Sequence, residues 1–105
     1  MEKNLYVVTE CGQDGADMFS IQLGVYSTLE KAQVRMLTCY IKAKQHIDTS
    51  ADYRLLDECS HEVDPMETTI LFYNSKNEFC KHFVTIEERT LDEDGSEIYF
   101  ELPIE

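Results

Sequence analysis

The chain has 105 residues, which fits one domain with a single modest hydrophobic core. Hydrophobic residues make up 43% of the sequence and aromatic residues 10%, values typical of globular proteins, so the composition excludes a wholly disordered chain. The N-terminal residues lack the basic and apolar regions of a signal peptide, and no apolar stretch is long enough to span a membrane. We therefore expect a single domain over residues 1–105, in the cytoplasm and not at a membrane.

Charge is distributed unevenly along the chain. The net charge is −12. Residues 1–47 contain five acidic and five basic side chains, whereas residues 48–105 contain sixteen acidic and four basic ones. Because binding to phosphates requires Lys and Arg on one face, the sequence argues against nucleic acid or an anionic membrane as a direct ligand. It favours a basic protein as the partner.

The first 26 residues predict a β-hairpin. "NLYVVTE" (4–10) has the pattern of a strand, and "CGQDGAD" (11–17) has the glycines and aspartates of the connecting loop. "FSIQLGVY" (19–26) alternates between apolar and polar residues, which is typical of a half-buried antiparallel strand. The residues predicted to face the core are Phe19, Ile21, Leu23 and Val25.

A long amphipathic helix is predicted next, over about residues 28–46. Ser27 is the expected N-cap, and Glu30 follows it at the spacing of a capping box. Apolar residues then recur every three or four positions, which is the pattern of a helix packed on a sheet. The predicted inward face consists of Leu29, Ala32, Met36, Cys39, Tyr40, Ala43 and Ile47, with Leu37 at its edge. The opposite face consists of Lys31, Arg35, Thr38 and Lys42.

The second half of the chain is predicted to form mainly strands. A short helix is predicted over residues 52–59, and strands are predicted over 67–74, 79–90 and 97–104. The turn before the last strand contains Gly95, and Pro103 indicates an edge strand or a strand end. The sequence therefore predicts an α+β domain in which one long helix packs on one face of a mostly antiparallel sheet of about five strands, in the order β-β-α-β-β-β.

Three segments resemble a family of short uncharacterised proteins of bacteria and their phages. They are "LYVVTE" (5–10), "GVYSTLEKA" (24–32) and "FVTIEERTLDE" (83–93). The resemblance implies a β-β-α start and a phage origin, but it implies no activity. This chain departs from the family pattern by a long segment over residues 48–78 and an extra C-terminal strand.

Two patterns have the residue types of metal sites. Cys59, His61, Cys80 and His82 form a C-x-H…C-x-H pattern, but neither half has the spacing of a zinc knuckle. We expect Cys80 and His82 to continue the core face of Val84 and Ile86 instead. Residues 90–101 nearly match a calcium loop, yet their flanks are strand-like, so an acidic β-turn is the stronger interpretation. We therefore expect no metal, no cofactor and free thiols.

No local pattern indicates a catalytic site. A nucleophilic Cys or Ser needs a nearby His and an orienting group, and the three histidines are scattered through the sequence. The glycines of "CGQDG" (11–15) are too few for a phosphate loop and are not followed by its lysine. We therefore expect that the protein is not an enzyme.

Acidic residues cluster near the predicted C-terminal hairpin. The expected partner-facing surface consists of Glu87, Glu88, Asp92, Glu93, Asp94, Glu97, Tyr99 and Glu101. Carboxylates two positions apart on a strand are about 6.6–6.8 Å apart, similar to successive phosphates on an extended nucleic-acid strand. We therefore expect a non-catalytic protein that binds a basic protein through this surface. The specific hypothesis is a phage-encoded inhibitor of a host nucleic-acid-binding defence enzyme, of the anti-CRISPR or anti-restriction type. The alternative is a self-associating accessory protein with a merely solvated acidic surface; the oligomeric state stays open.

Overall fold

The computed structural model describes residues 3–56 and 61–91. Within these two ranges one helix packs against a six-stranded sheet, and this arrangement confirms the predicted α+β class. The predicted strand over residues 97–104 and most of the turn before it lie outside the described residues. The elements are β1 (Lys3–Asp14), β2 (Asp17–Tyr26), α1 (Leu29–Thr49), β3 (Arg54–Leu55), β4 (His61–Asp64), β5 (Glu67–Tyr73) and β6 (Phe79–Leu91).

Every pairing between the described strands is antiparallel. The strand order is β2-β1-β6-β5-β3, and β4 also pairs with β5. The longest pairing joins β1 to β6 from Lys3 opposite Leu91 to Asp14 opposite Cys80. Within the described ranges, β2 therefore forms one edge of the sheet.

The β1–β2 hairpin is longer than predicted. The predicted loop over residues 11–17 is mostly strand, and only Gly15 and Ala16 form the turn. Gly15 has a φ of 62°, which suits the first central position of a type II′ turn. Tight two-residue turns of this kind match the right-handed twist of the flanking strands, so the pairing continues up to Asp14 and Asp17.

The predicted core face of β2 is wrong for Phe19 and Ile21, which are 48% and 50% exposed. The register shifts between Val8 and Thr9. Val8 pairs with Gly24 but Thr9 pairs with Gln22, so β2 has one extra residue at this point. Ile21 therefore pairs with Glu10 on the face that carries the helix, where it is left half exposed, and Val25 pairs with Val7 on the opposite face. The alternation read from the sequence assumed an unbroken strand.

Helix α1 begins one residue later than predicted. Its N-cap is Thr28, whose Oγ1 accepts a hydrogen bond from the Lys31 backbone N–H at 3.3 Å. The prediction of Ser27 as the cap is therefore wrong, and Glu30 does not stand at the capping-box position. Ser and Thr are both good N-cap residues. The sequence alone therefore does not decide which of the two adjacent residues caps the helix. Within the described ranges, no helix combines the length and apolar character needed to cross a membrane.

The inward face of α1 is the predicted one, and it covers two hydrophobic clusters. The first contains Ala32 and Met36, and the second contains Ile47. The first cluster also contains Val8, Tyr26, Val84 and Ile86. The second also contains Ile70, Phe72 and Cys80. The predicted inward residues Leu29, Cys39, Tyr40 and Ala43 are partly buried against the same two clusters.

The predicted short helix over residues 52–59 is wrong for its described part. Arg54 and Leu55 form β3 and pair with Tyr73 and Phe72 of β5. The ring of Tyr53 packs edge-on against Phe72, with centroids 5.3 Å apart. Pairing with the free side of β5 gives these residues both backbone hydrogen bonds and apolar contacts, which an isolated helical turn cannot offer.

Candidate functional site

Two residues of the predicted acidic surface lie within the described ranges. Glu87 and Glu88 are both exposed near the end of β6. Since they are neighbours on a strand, their side chains point to opposite faces of the sheet. Arg89 lies on the same face as Glu87, and Arg89 Nη2 is 3.0 Å from Glu87 Oε1. The remaining residues of that surface lie outside the described ranges: Asp92, Glu93, Asp94, Glu97, Tyr99 and Glu101.

The structure places Cys80 and His82 on the core face of β6, as predicted. Both are buried, and they alternate with exposed or half-buried neighbours in line with Val84 and Ile86. The Cys80 thiol donates a weak hydrogen bond to Asp14 Oδ1 at 3.3 Å. Cys59 and the side chain of His61 lie outside the described part of the chain. The thiols of Cys11, Cys39 and Cys80 are free.

Three polar side chains meet between the helix and the sheet. We name Glu10, Cys39 and His82 the central polar cluster. The Cys39 thiol donates to Glu10 Oε2 at 3.1 Å, and His82 Nε2 lies 2.8 Å from the same oxygen. The ligand-type atoms of all three side chains lie within 4.8 Å of one another. Each comes from a different element: β1, α1 and β6.

Ordinary periodicity brings the cluster together. Glu10 stands two positions after the buried Val8 and therefore faces the helix. His82 precedes Val84 on the same face of β6, and Cys39 lies three positions after Met36 on the inward face of α1. Sequence reasoning predicted that Cys39 and His82 face inward, but it missed Glu10. The available signal was the alternation within "VVTE" (7–10), which puts a carboxylate in line with the core.

Hydrogen bonding and burial oppose each other at Glu10. Burial raises the pKa of its carboxyl group, but hydrogen bonds from His82 and Cys39 and the charges of His82 and Arg35 outweigh burial, so the pKa is lowered. At Cys39 burial and the hydrogen bond to Glu10 act together and raise the pKa of the thiol to about 12. Cys39 is therefore a protonated thiol at neutral pH, with its hydrogen directed at a carboxylate.

The cluster opens onto a cavity of about 450 Å³ at the side of the helix. Basic side chains of α1 line this cavity beside the cluster, namely Arg35, Lys42 and His46. Arg35 was predicted to lie on the solvent face, but it is half-buried, and its Nε is buried without a hydrogen-bond partner among the described residues. The long Arg side chain reaches around the helix, which periodicity alone does not anticipate.

The arrangement does not match that of a nucleophilic cysteine. Such a cysteine is activated by a lowered pKa and by a basic partner such as a histidine ring. Here the thiol pKa is raised, and the hydrogen bond goes to Glu10 rather than to His82. The central polar cluster is instead suited to coordinating a cation, because it offers one sulfur, one nitrogen and one oxygen ligand.

Two sets of exposed apolar side chains lie outside the cavity. The first, which we name the β2 edge, consists of Met18, Phe19 and Ile21; Met18 is 76% exposed. The second, which we name the helix stripe, consists of Val34, Leu37 and Ile41, at the spacing of one helix face. Phe19 and Ile21 share one face of β2, and Met18 lies on the other. Large exposed apolar side chains are typical of interaction surfaces.

Comparison with protein-family models, with curated proteins and with solved structures finds no match to this chain.

Proposed function

We propose that this protein acts by binding another protein, without catalysis, and that its contact surface is the β2 edge. The observation that carries the proposal is the exposure of Met18, Phe19 and Ile21 on β2, the outermost strand among those of the described residues. An exposed edge strand offers unpaired backbone groups to an incoming strand, and apolar side chains add affinity.

The partner that we propose is a second copy of this chain. Residues 1–47, which contain the β2 edge and the helix stripe, have equal numbers of acidic and basic side chains. Two copies can therefore meet through this half while their acidic halves stay in solvent. Antiparallel pairing of two β2 strands about a two-fold axis satisfies both edges at once and forms a closed dimer.

Light scattering coupled to size-exclusion chromatography tests the proposal. We expect a dimer whose stability changes little with salt, since Met18, Phe19 and Ile21, the side chains proposed to meet, are uncharged. Met18→Lys places a charge on the edge strand, so we expect the monomer. Val63→Lys is the matched control, because Val63 is also an exposed apolar strand residue but lies on β4. A wild-type chain that is monomeric at high concentration contradicts the proposal, as does equal dimerisation of the two variants.

A second candidate function is inhibition of a basic protein through an acidic surface. Its support is the charge of residues 48–105, with sixteen acidic and four basic side chains. We propose on this ground, and on the family resemblance, a phage-encoded inhibitor that occupies the groove of a host nucleic-acid-binding enzyme. Affinity for such a partner would fall steeply with salt, which distinguishes this function from self-association.

The acidic surface can be tested by neutralisation. The variant replaces Glu87 and Glu101 by Gln, and Asp92, Asp94 and Glu97 by Ser. Binding is measured to the basic protein that the wild-type chain retains at low salt. Binding that disappears in the folded variant supports the inhibitor function. Undiminished binding means that these carboxylates are only solvated.

A further inference from the structure

We propose that the central polar cluster binds one zinc ion through Glu10, Cys39 and His82. The sequence predicted no metal site, because the cluster has no recognisable spacing: its ligands are 29 and 43 positions apart in the chain. The site is independent of the β2 edge and of the proposed self-association.

The positions of the three side chains suit tetrahedral coordination. Zinc binds oxygen and nitrogen at about 2.0–2.1 Å and sulfur at about 2.3 Å, so its ligands stand roughly 3.3–3.6 Å apart. Here Glu10 Oε2 is 3.1 Å from Cys39 Sγ and 2.8 Å from His82 Nε2. The third pair, Cys39 Sγ and His82 Nε2, lies within 4.8 Å, so small side-chain movements bring the three atoms to the coordinated spacing.

The donor types favour zinc over the other common divalent cations. Calcium and magnesium bind mainly to oxygen, and this cluster supplies one carboxylate. Thiolate, imidazole and carboxylate together are the ligands that zinc accepts. A carboxylate and a thiolate also provide the two negative charges that balance Zn²⁺. On binding, the Cys39 thiol loses its proton to solvent and a sulfur–zinc bond replaces the hydrogen bond to Glu10. His82 Nε2 also gives up the proton that it donates to Glu10 Oε2, so the bound ring is the neutral tautomer protonated at Nδ1.

His82 is held between the helix and the sheet with one ring nitrogen in the cluster. The residue is only 8% exposed, and its Nε2 is 2.8 Å from Glu10 Oε2. Its Nδ1 is buried without a hydrogen-bond partner among the described residues, so Nε2 is the ring nitrogen placed to bind a metal. Glu10 Oε2 has both Cys39 Sγ and His82 Nε2 within hydrogen-bonding distance, so the three ligand atoms form one compact group.

Three protein ligands leave one coordination position for water. Zinc sites with three protein ligands and an open fourth position are those at which the metal meets small molecules. All three cluster residues line the 450 Å³ cavity, so the fourth position faces that space. Water is the ligand that we expect there.

The test uses the full chain, reduced and freed of metal, with zinc chloride as the only added metal and a chromogenic chelator as the competitor. We expect one zinc ion per chain. Cys39→Ser and Glu10→Gln should each weaken the affinity at least about tenfold, because each removes a direct ligand. Cys11→Ser is the matched control, since Cys11 is also a half-buried free thiol and is the neighbour of Glu10 on β1. This control should leave the affinity unchanged.

A second readout guards against loss of folding. Cobalt bound in place of zinc should show thiolate-to-metal charge-transfer absorption in the wild-type chain and in Cys11→Ser, and lose it in Cys39→Ser. Circular dichroism establishes that each variant is folded. The proposal is overturned if the folded wild-type chain binds no zinc, or if Cys39→Ser binds it as tightly as wild type. It is also overturned if Cys59→Ser abolishes binding while Cys39→Ser does not, since the ligands would then be those of the C-x-H pattern.

Discussion

Met36 holds helix α1 against the sheet, so replacing it by alanine tests the packing that positions the central polar cluster. Its side chain is 1% exposed and packs with Val8 and Val84 in the first hydrophobic cluster. Met→Ala substitutions at such sites cost about 2–5 kcal/mol, because transfer energy is lost and a cavity remains. The neighbours belong to the sheet and cannot collapse freely, so we expect about 3 kcal/mol.

The matched control is Val34→Ala, on the same helix but 65% exposed. Alanine has the higher helix propensity, so we expect a gain of a few tenths of a kcal/mol or no change. Urea denaturation followed by circular dichroism measures both variants. For a chain of this size, a loss of 3 kcal/mol lowers the melting temperature by roughly 12 °C or more. Two results would refute the assigned inward face. One is a loss below about 1 kcal/mol for Met36→Ala, and the other is a larger loss for Val34→Ala than for Met36→Ala.

Two further predictions concern hydrogen bonds at the surface. Thr28→Ala removes the helix cap and should lower the free energy of unfolding by about 1 kcal/mol; a change of a few tenths would mean that the helix begins elsewhere. The pKa of Asp14 is lowered by hydrogen bonds from Asn74 and Cys80, so its carboxylate stabilises the fold above pH 3.8 and loses this effect as the pH falls through its lowered value. Denaturation from pH 7 to 2 should therefore show Asp14→Asn converging with wild type at acid pH; a constant difference would contradict the effect.

Regular periodicity explains which elements could be predicted from the sequence. The helix repeats its apolar residues over five turns, from Leu29 to Ile47, so a few exceptions do not obscure its inward face. The strand β6 alternates from Cys80 to Ile86 without interruption. In both elements the long-range packing follows the local pattern, and the predicted inward faces were confirmed.

The errors come from contacts that the local sequence does not contain. The irregularity opposite Val8 and Thr9 changes which side chains of β2 face the helix, and it depends on the pairing with β1. Likewise Arg54 and Leu55 form a strand because β5 offers them a free edge. A two-residue strand has too few residues to show a period of its own.

The central polar cluster illustrates a similar limit. Two of its members, Cys39 and His82, were predicted to face inward from their positions among apolar residues. Their proximity to Glu10 depends on the strand order, which pairs β1 with β6 although they are far apart in the chain. Metal sites become recognisable in a sequence when ligands lie a few residues apart, and these three lie on separate elements.

Hydrogen exchange of the β2 backbone amides, measured at low and high protein concentration, tests the proposed binding surface most directly. If two copies pair through this strand, amides within residues 17–23 become more protected as concentration rises, while those of β6 stay unchanged. In Met18→Lys the protection of β2 should be independent of concentration. Equal protection of β2 in the wild-type chain at both concentrations would contradict the proposal that this edge binds a second copy.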